Sequence, residues 1–150
     1  MLDLADILPA TDETALDARL RRLWSDTGDA LVVVSVDSLA GQPIEDVAND
    51  LFNDWGIGDE DTDRGLLMLV APNERMVRIE VGCGLESTIT DELAADIIQQ
   101  RILPEFREGK FPAGIGAGTD ALIARLALPK PANDPGTQAQ TCEAKARKAA

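Results

Sequence analysis

The stretch LVVVSVDSLAGQPIEDVANDLFNDWGIGDEDTDRGLLMLVA, residues 31–71, decides the fold. It begins with a β-branched run at 31–36 and ends with an apolar run at 65–71, and each has the length of a strand covered on both faces. Between them, apolar residues recur at helical spacing: Ile44, Val47, Ala48, Leu51, Phe52 and Trp55. Strand, helix and strand form a βαβ unit, which predicts two parallel strands, with 31–36 in the centre of the sheet.

The segments on either side extend this unit. Residues 11–25 carry leucines and Trp24 at helical spacing, which predicts an amphipathic helix. Residues 75–81 alternate after the short link 72–74 and predict a strand antiparallel to 65–71. The predicted sheet is therefore mixed, and both Trp24 and Trp55 are predicted to pack in the core.

The second half of the chain is predicted to be helical. Thr90 is expected to cap a helix with an acidic first turn. A flexible turn at 82–84 precedes that helix, and Pro104 and Gly109 are expected to break the helical pattern after it. A last helix is predicted over residues 112–128.

Length and charge define the domain organisation. The 150 residues suit a single core, and from residue 129 the composition favours turns and offers little to bury. We therefore predict one α/β domain, residues 1–128, followed by a flexible tail or linker, residues 129–150. The formal net charge is -13; the tail holds four basic and two acidic residues, which leaves -15 on the domain.

The composition excludes several functions. Without histidine there is no Ser-His-Asp or Cys-His nucleophile, and no histidine-bearing zinc or iron site. So negative a chain is not expected to bind nucleic acid. No apolar run is long enough for a transmembrane span, and the first nine residues lack the regions of a signal peptide, so the protein is either cytoplasmic or follows a targeting segment. A bound metal would be calcium or magnesium, held by oxygen ligands.

Topology brings several carboxylates to one edge of the predicted sheet. The loop that enters strand 65–71 and the segment that leaves strand 75–81 lie at the same edge, because these strands are antiparallel. Asp29, just before strand 31–36, is expected to lie near them. Neighbouring carboxylates repel unless a cation intervenes, so this edge is a candidate cation site; solvated loop acids are the alternative interpretation. The residues concerned are Asp29, Asp61, Asp63, Arg64, Glu86 and Asp91.

Motifs that would indicate a more specific function are incomplete in this sequence. The D-x-D-x-D string at 59–63 lacks the glycine and glutamate of an EF-hand, and it precedes a strand instead of following one as an aspartyl-phosphate nucleophile does. The glycines at 82–84 lack the rest of a phosphate-binding loop. Cys83 has no histidine partner and is not expected to be a nucleophile.

Several segments occur in an order and spacing that resemble one family. They are DLADILP at 3–9, WGIG at 55–58, RIEVGCGLE at 78–86, TDELA at 90–94 and FREGKF at 106–111. Together they resemble the TPM domain, found in thylakoid-lumen proteins of photosystem II repair and in many bacterial extracytoplasmic proteins. The resemblance covers residues 3 to about 127.

This resemblance carries expectations about fold, site and location. It implies a Rossmann-like, three-layer α/β/α sandwich and a divalent-cation site that takes calcium in preference to magnesium. It further implies an extracytoplasmic or periplasmic, membrane-associated location. By matching motifs, the metal ligands would be Asp6, Asp63, Glu86 and Asp91, with Glu80, Asp61 and Arg64 as possible additions. Two positions depart from the family pattern: Cys83 replaces a usual aromatic residue, and Arg64 replaces a common asparagine.

Three hypotheses for the function follow. The first is a calcium-binding accessory module for assembly or repair of a membrane protein complex. The second is a metal-assisted acid phosphatase acting on a phosphate ester, which the resemblance implies through an activity claimed for the plant member. The third is a structural adaptor linked to a membrane anchor.

Overall fold

A four-stranded mixed sheet forms the centre of the protein. The structure is a computed structural model that describes residues 2–57 and 64–127. In spatial order the strands are β1 (Leu2–Asp3), β2 (Ala30–Ser35), β3 (Gly65–Ala71) and β4 (Met76–Val81). β2 and β3 are parallel and β4 is antiparallel to β3, which confirms the predicted mixed sheet.

β1 is an edge strand that the sequence did not predict. It pairs in parallel with β2, so that Leu2 lies opposite Val34 and Asp3 opposite Ser35. The pairing places β2 between two neighbours, as expected from its continuous apolar run. A two-residue strand has no periodicity to detect, and only its partner stabilises it.

Helices cover both faces of the sheet. They are α1 (Ala10–Thr27), α2 (Ile44–Asp54), α3 (Asp91–Ile97), α4 (Leu103–Arg107) and α5 (Phe111–Leu126). One core cluster joins α1, α3 and α5 to the sheet through residues such as Leu20, Ile97 and Leu122. A second cluster joins α2 to the other face through Ala48 and Phe52. The described residues therefore form the expected three-layer α/β/α sandwich.

The helical region that follows β4 differs from the prediction at one proline. Thr90 caps α3, since its hydroxyl accepts a hydrogen bond from the backbone N–H of Leu93 at 3.1 Å. Pro104 does not break the helix, because a π-helical turn, Ile98–Ile102, precedes it and connects α3 to α4. A wider turn moves carbonyl groups away from the proline ring, which would clash with them in a regular α-helix. Gly109, with φ of 76°, lies beyond the end of α4, as expected.

Two further predictions about packing were wrong. Trp24 and Trp55 are 64% and 45% exposed, so neither lies in the core. α1 already buries Leu16, Leu20 and Leu23, and Trp24 lies beside that stripe on the solvent side. The turn at 82–84, which was expected to be flexible, belongs to a buried one-turn 3-10 helix, Cys83–Leu85. No helix among the described residues is long and apolar enough to cross a bilayer.

Candidate cation site

A buried ion pair lies where β2 and β3 begin. The side chain of Asp29 is completely buried, and its Oδ1 accepts hydrogen bonds from Arg64 Nε at 2.7 Å and Nη2 at 2.5 Å. The backbone N–H of Ala30 also donates to the carbonyl of Arg64 at 3.0 Å. A buried carboxylate is costly without such a partner, so Arg64 compensates the charge of Asp29. The structure thus brings together the two residues that topology predicted to be close.

The turn after β4 lies at the same side of the sheet. The N–H of Gly82 donates to the carbonyl of Gly65 at 2.8 Å, which fixes this turn beside the start of β3. Glu86 follows immediately and is half-buried. We call this side, which holds Asp29, Arg64 and Glu86, the amino edge. It is the edge that was predicted to collect carboxylates.

Two other predicted residues lie close to this edge along the chain. Asp91 is the first residue of α3 and is exposed, five residues beyond Glu86. Glu80 pairs with Leu67 near the end of β4 and is 8% exposed, on the sheet face that α2 covers. Its Oε2 lies 3.4 Å from Arg78 Nε, so the charge of Glu80 is compensated within its own strand.

Asp6 lies at the opposite side of the sheet. It follows β1, and the pairing of Asp3 with Ser35 puts the end of β1 beside the end of β2. The six residues of β2 separate the two sides by about 16 Å. Because Ca²⁺ ligands lie about 2.3–2.6 Å from the ion, one ion cannot contact both Asp6 and Glu86. The structure does not bring these two predicted ligands together.

A hydrogen-bond network fixes the turn that carries Asp6. The carboxylate of Asp3 accepts hydrogen bonds from the hydroxyl of Ser35 at 2.6 Å and from the backbone N–H groups of Ile7 and Leu8 at 3.0 and 2.8 Å. Asp6 itself has φ of 55°, in the left-handed region that aspartate tolerates. We call this side, which holds Asp3, Asp6 and Ser35, the carboxyl edge.

This network determines the ionisation of Asp3. Burial raises the pKa of Asp3, but the hydrogen bonds from Ser35, Ile7 and Leu8 outweigh it, so that the pKa lies below the usual 3.8. Neither Asp3 nor Ser35 is among the residues predicted from the sequence. The detectable signal was an aspartate a few residues before a helix, which is typical of a side chain that binds the N–H groups of a turn.

The described residues do not form a complete metal site by themselves. Within residues 2–57 and 64–127, no three Asp, Glu or Cys side chains are close enough together to hold an ion. Asp61 and Asp63, both predicted as ligands, lie outside the described residues. Cys83 is disulfide-bonded and 2% exposed, so it offers no free thiol for attack on a substrate.

Together these features define a small α/β sandwich domain with carboxylates at both the amino edge and the carboxyl edge of its sheet. The chain belongs to the TPM domain family, which matches residues 1–125. This membership confirms the resemblance found in the sequence. No curated protein matches the chain.

Solved structures support the fold. The N-terminal domain of a protein from P. gingivalis is 34% identical, with a TM-score of 0.79 over 83% of this chain and 80% of that chain. The BA42 protein of the psychrophilic bacterium Bizionia argentinensis is 23% identical, with a TM-score of 0.68 over 85% and 88% of the two chains. The N-terminal domain of the cg2496 protein from Corynebacterium glutamicum is 17% identical, with a TM-score of 0.66 over 88% and 82%. The last two likenesses concern the fold alone.

Proposed function

We propose that this TPM domain binds calcium at the amino edge and serves as an accessory module for a membrane protein complex outside the cytoplasm. The observation that supports the proposal is the pairing of Arg64 with Asp29. The guanidinium compensates a buried carboxylate and holds the start of β3 directly after the acidic residues that precede it in sequence. The six residues 58–63, which directly precede Arg64 in sequence, contain four carboxylates.

The proposed ligands are Asp61, Asp63 and Glu86. Oxygen ligands of this kind suit Ca²⁺, which accepts irregular geometry more readily than Mg²⁺ does. A site with few carboxylates from the protein would bind weakly, which suits the high free calcium outside cells. Arg64 would hold the start of β3 in place and would not coordinate the ion.

Calorimetric titration with CaCl₂, combined with thermal unfolding, tests this proposal. A ligand that binds only the folded state adds about 2.7 kcal/mol at a hundredfold excess over Kd, so the melting temperature should rise with calcium. We expect Asp63→Asn and Glu86→Gln to weaken binding at least tenfold. Asp6→Asn, at the carboxyl edge, is the matched control and should bind as wild type does.

Two results would contradict the proposal. One is the absence of heat at millimolar CaCl₂. The other is an unchanged affinity in both amino-edge variants. Repeating the titration at pH 5 with an aryl phosphate separates binding from catalysis, since turnover that needs both calcium and Glu86 would make the domain a phosphatase.

A further inference from the structure

Within residues 2–57 and 64–127, helix cover on the sheet face beneath α2 is incomplete. α2 packs over β3 and β4, and within the described residues it is the helix on that face. On β2, Val32 and Val34 point to this face; Val32 is partly buried and Val34 is 1% exposed. Val36, the residue after β2, is partly buried on the same face. On β1, Leu2 shares the face, since it lies opposite Val34, and it is 41% exposed.

α2 forms one wall beside this area. Val47 and Leu51 are partly buried and pack against the same cluster as the valines of β2. Trp55, one further step along the same row, is 45% exposed. We call this surface the open apolar face; its residues are Leu2, Val32, Val36, Val47, Leu51 and Trp55.

An acidic row borders the open apolar face. Asp46, Asp50 and Asp54 recur at four-residue spacing on α2, are all exposed, and lie next to the Val47 and Leu51 row. No Lys or Arg occurs in α2. The face is therefore apolar with a negative rim.

We propose that the open apolar face binds an amphipathic helix of a partner protein, whose apolar stripe is flanked by Lys and Arg. In layered α/β folds a helix fills this kind of position, and the stripe of such a helix would cover the valines and Leu2. Its basic side chains would face the aspartate row. A second copy of this chain is the wrong partner, because it would bring the same aspartates and a charge of -13. The inference is independent of the cation site.

A synthetic helical peptide with one leucine stripe flanked by lysines is the probe. Its binding to the full chain is measured by calorimetry, and its position by backbone amide chemical shifts. We expect shifts at Val32, Val36, Val47 and Leu51. A peptide with glutamate in place of lysine should bind at least tenfold more weakly.

Matched variants separate the surface from general charge attraction. Asp50→Lys with Asp54→Lys should weaken binding about tenfold, whereas Glu92→Lys with Asp96→Lys should not. Both pairs change the charge equally at four-residue spacing on exposed helix positions, but the second lies on α3, which packs on the other sheet face. Thermal unfolding confirms that each variant is folded.

A second pair of variants tests the apolar contribution to peptide binding. Leu2→Gln should weaken binding, while Trp24→Gln, at an exposed position on α1, should not. Equal loss in both charge pairs, equal binding of the glutamate peptide, or shifts confined to other surfaces would overturn the proposal. Binding to phosphatidylcholine and phosphatidylglycerol vesicles through the same residues would also overturn it, in favour of a lipid surface.

Discussion

At the scale of single residues, the Asp29–Arg64 pair dominates the amino edge. Asp29 is fully buried and Arg64 is 24% exposed at its side chain, so the pair is partly shielded from solvent and salt. Such a pair contributes less to stability than its geometry suggests, because both charges lose hydration. Removing one partner is different, since it takes away a charge that compensates the other, buried one.

We therefore expect Arg64→Gln to lower the free energy of unfolding by about 3 kcal/mol in urea denaturation. The double variant Asp29→Asn with Arg64→Gln should lose less than the sum of the two single changes, because the uncompensated charge is absent. Arg22→Gln is the control. Arg22 pairs with Asp26 on the exposed side of α1, and loss of such a pair should lower the free energy of unfolding by about 0.5 kcal/mol or less. Equal losses for Arg64 and Arg22 would refute the argument.

The Asp3 network predicts a dependence on pH. The pKa of Asp3 is lowered in the folded state, so its contribution is complete above the unfolded value of 3.8 and is lost as the pH falls below it. Asp3→Asn should reduce the unfolding free energy by about 1–2 kcal/mol at pH 7, and the difference should narrow near pH 3. Urea denaturation at both pH values measures it. Asp50→Asn, at an exposed position on α2, is the control. If Asp3→Asn lowered the unfolding free energy by the same amount at both pH values, the proposed role of the Asp3 carboxylate would be wrong.

At the scale of elements, close packing of α5 depends on particular glycines. A Cβ at Gly114 would lie 2.5 Å from the ring of Phe106 and 3.0 Å from the backbone carbonyl of Ile102. A Cβ at Gly116 would meet nothing within 4 Å. The glycines in this helix thus have different roles, although the sequence pattern treats them alike.

Alanine substitution separates these roles. Gly114→Ala should lower the unfolding free energy by about 1–3 kcal/mol, because backbone and ring must move. Gly116→Ala should raise it by about 0.5–1 kcal/mol, because alanine loses less conformational freedom in a helix. Thermal unfolding of the two variants gives the comparison. If both substitutions raised the free energy of unfolding, α5 would not be closely packed against α4 at Gly114.

Regular elements were predictable from sequence where one pattern extends over several residues. β2, α2 and β3 follow from the apolar runs and the spacing in residues 31–71, and the Thr90 cap follows from its polar side chain. β1 was missed because two residues carry no pattern. The continuation past Pro104 was missed because the penalty of proline is local, whereas the π-helical turn that avoids it depends on the whole segment.

At the scale of the whole molecule, the site was predictable only where it depends on elements that have a sequence pattern. Chain order and strand direction were enough to place Asp29 beside Arg64, because both directly precede paired strands. Asp6 was assigned to the metal by resemblance alone. The position of Asp6 depends on β1, which ends at the carboxyl edge. No periodicity in the sequence predicts that two-residue strand. A ligand set inferred from motifs therefore needs the topology to test whether its members can meet.

The net charge of the whole chain makes a last prediction. With a formal charge of -13, self-repulsion opposes the compact state, and salt screens it. Raising NaCl from about 0.01 M to about 0.15 M shortens the screening length from about 30 Å to about 8 Å, so the melting temperature should rise. Glu92→Lys with Asp96→Lys removes four negative units of net charge and should reduce that rise. A melting temperature that stays constant or falls with NaCl would show that local ion pairs, such as Asp29 with Arg64, outweigh the repulsion.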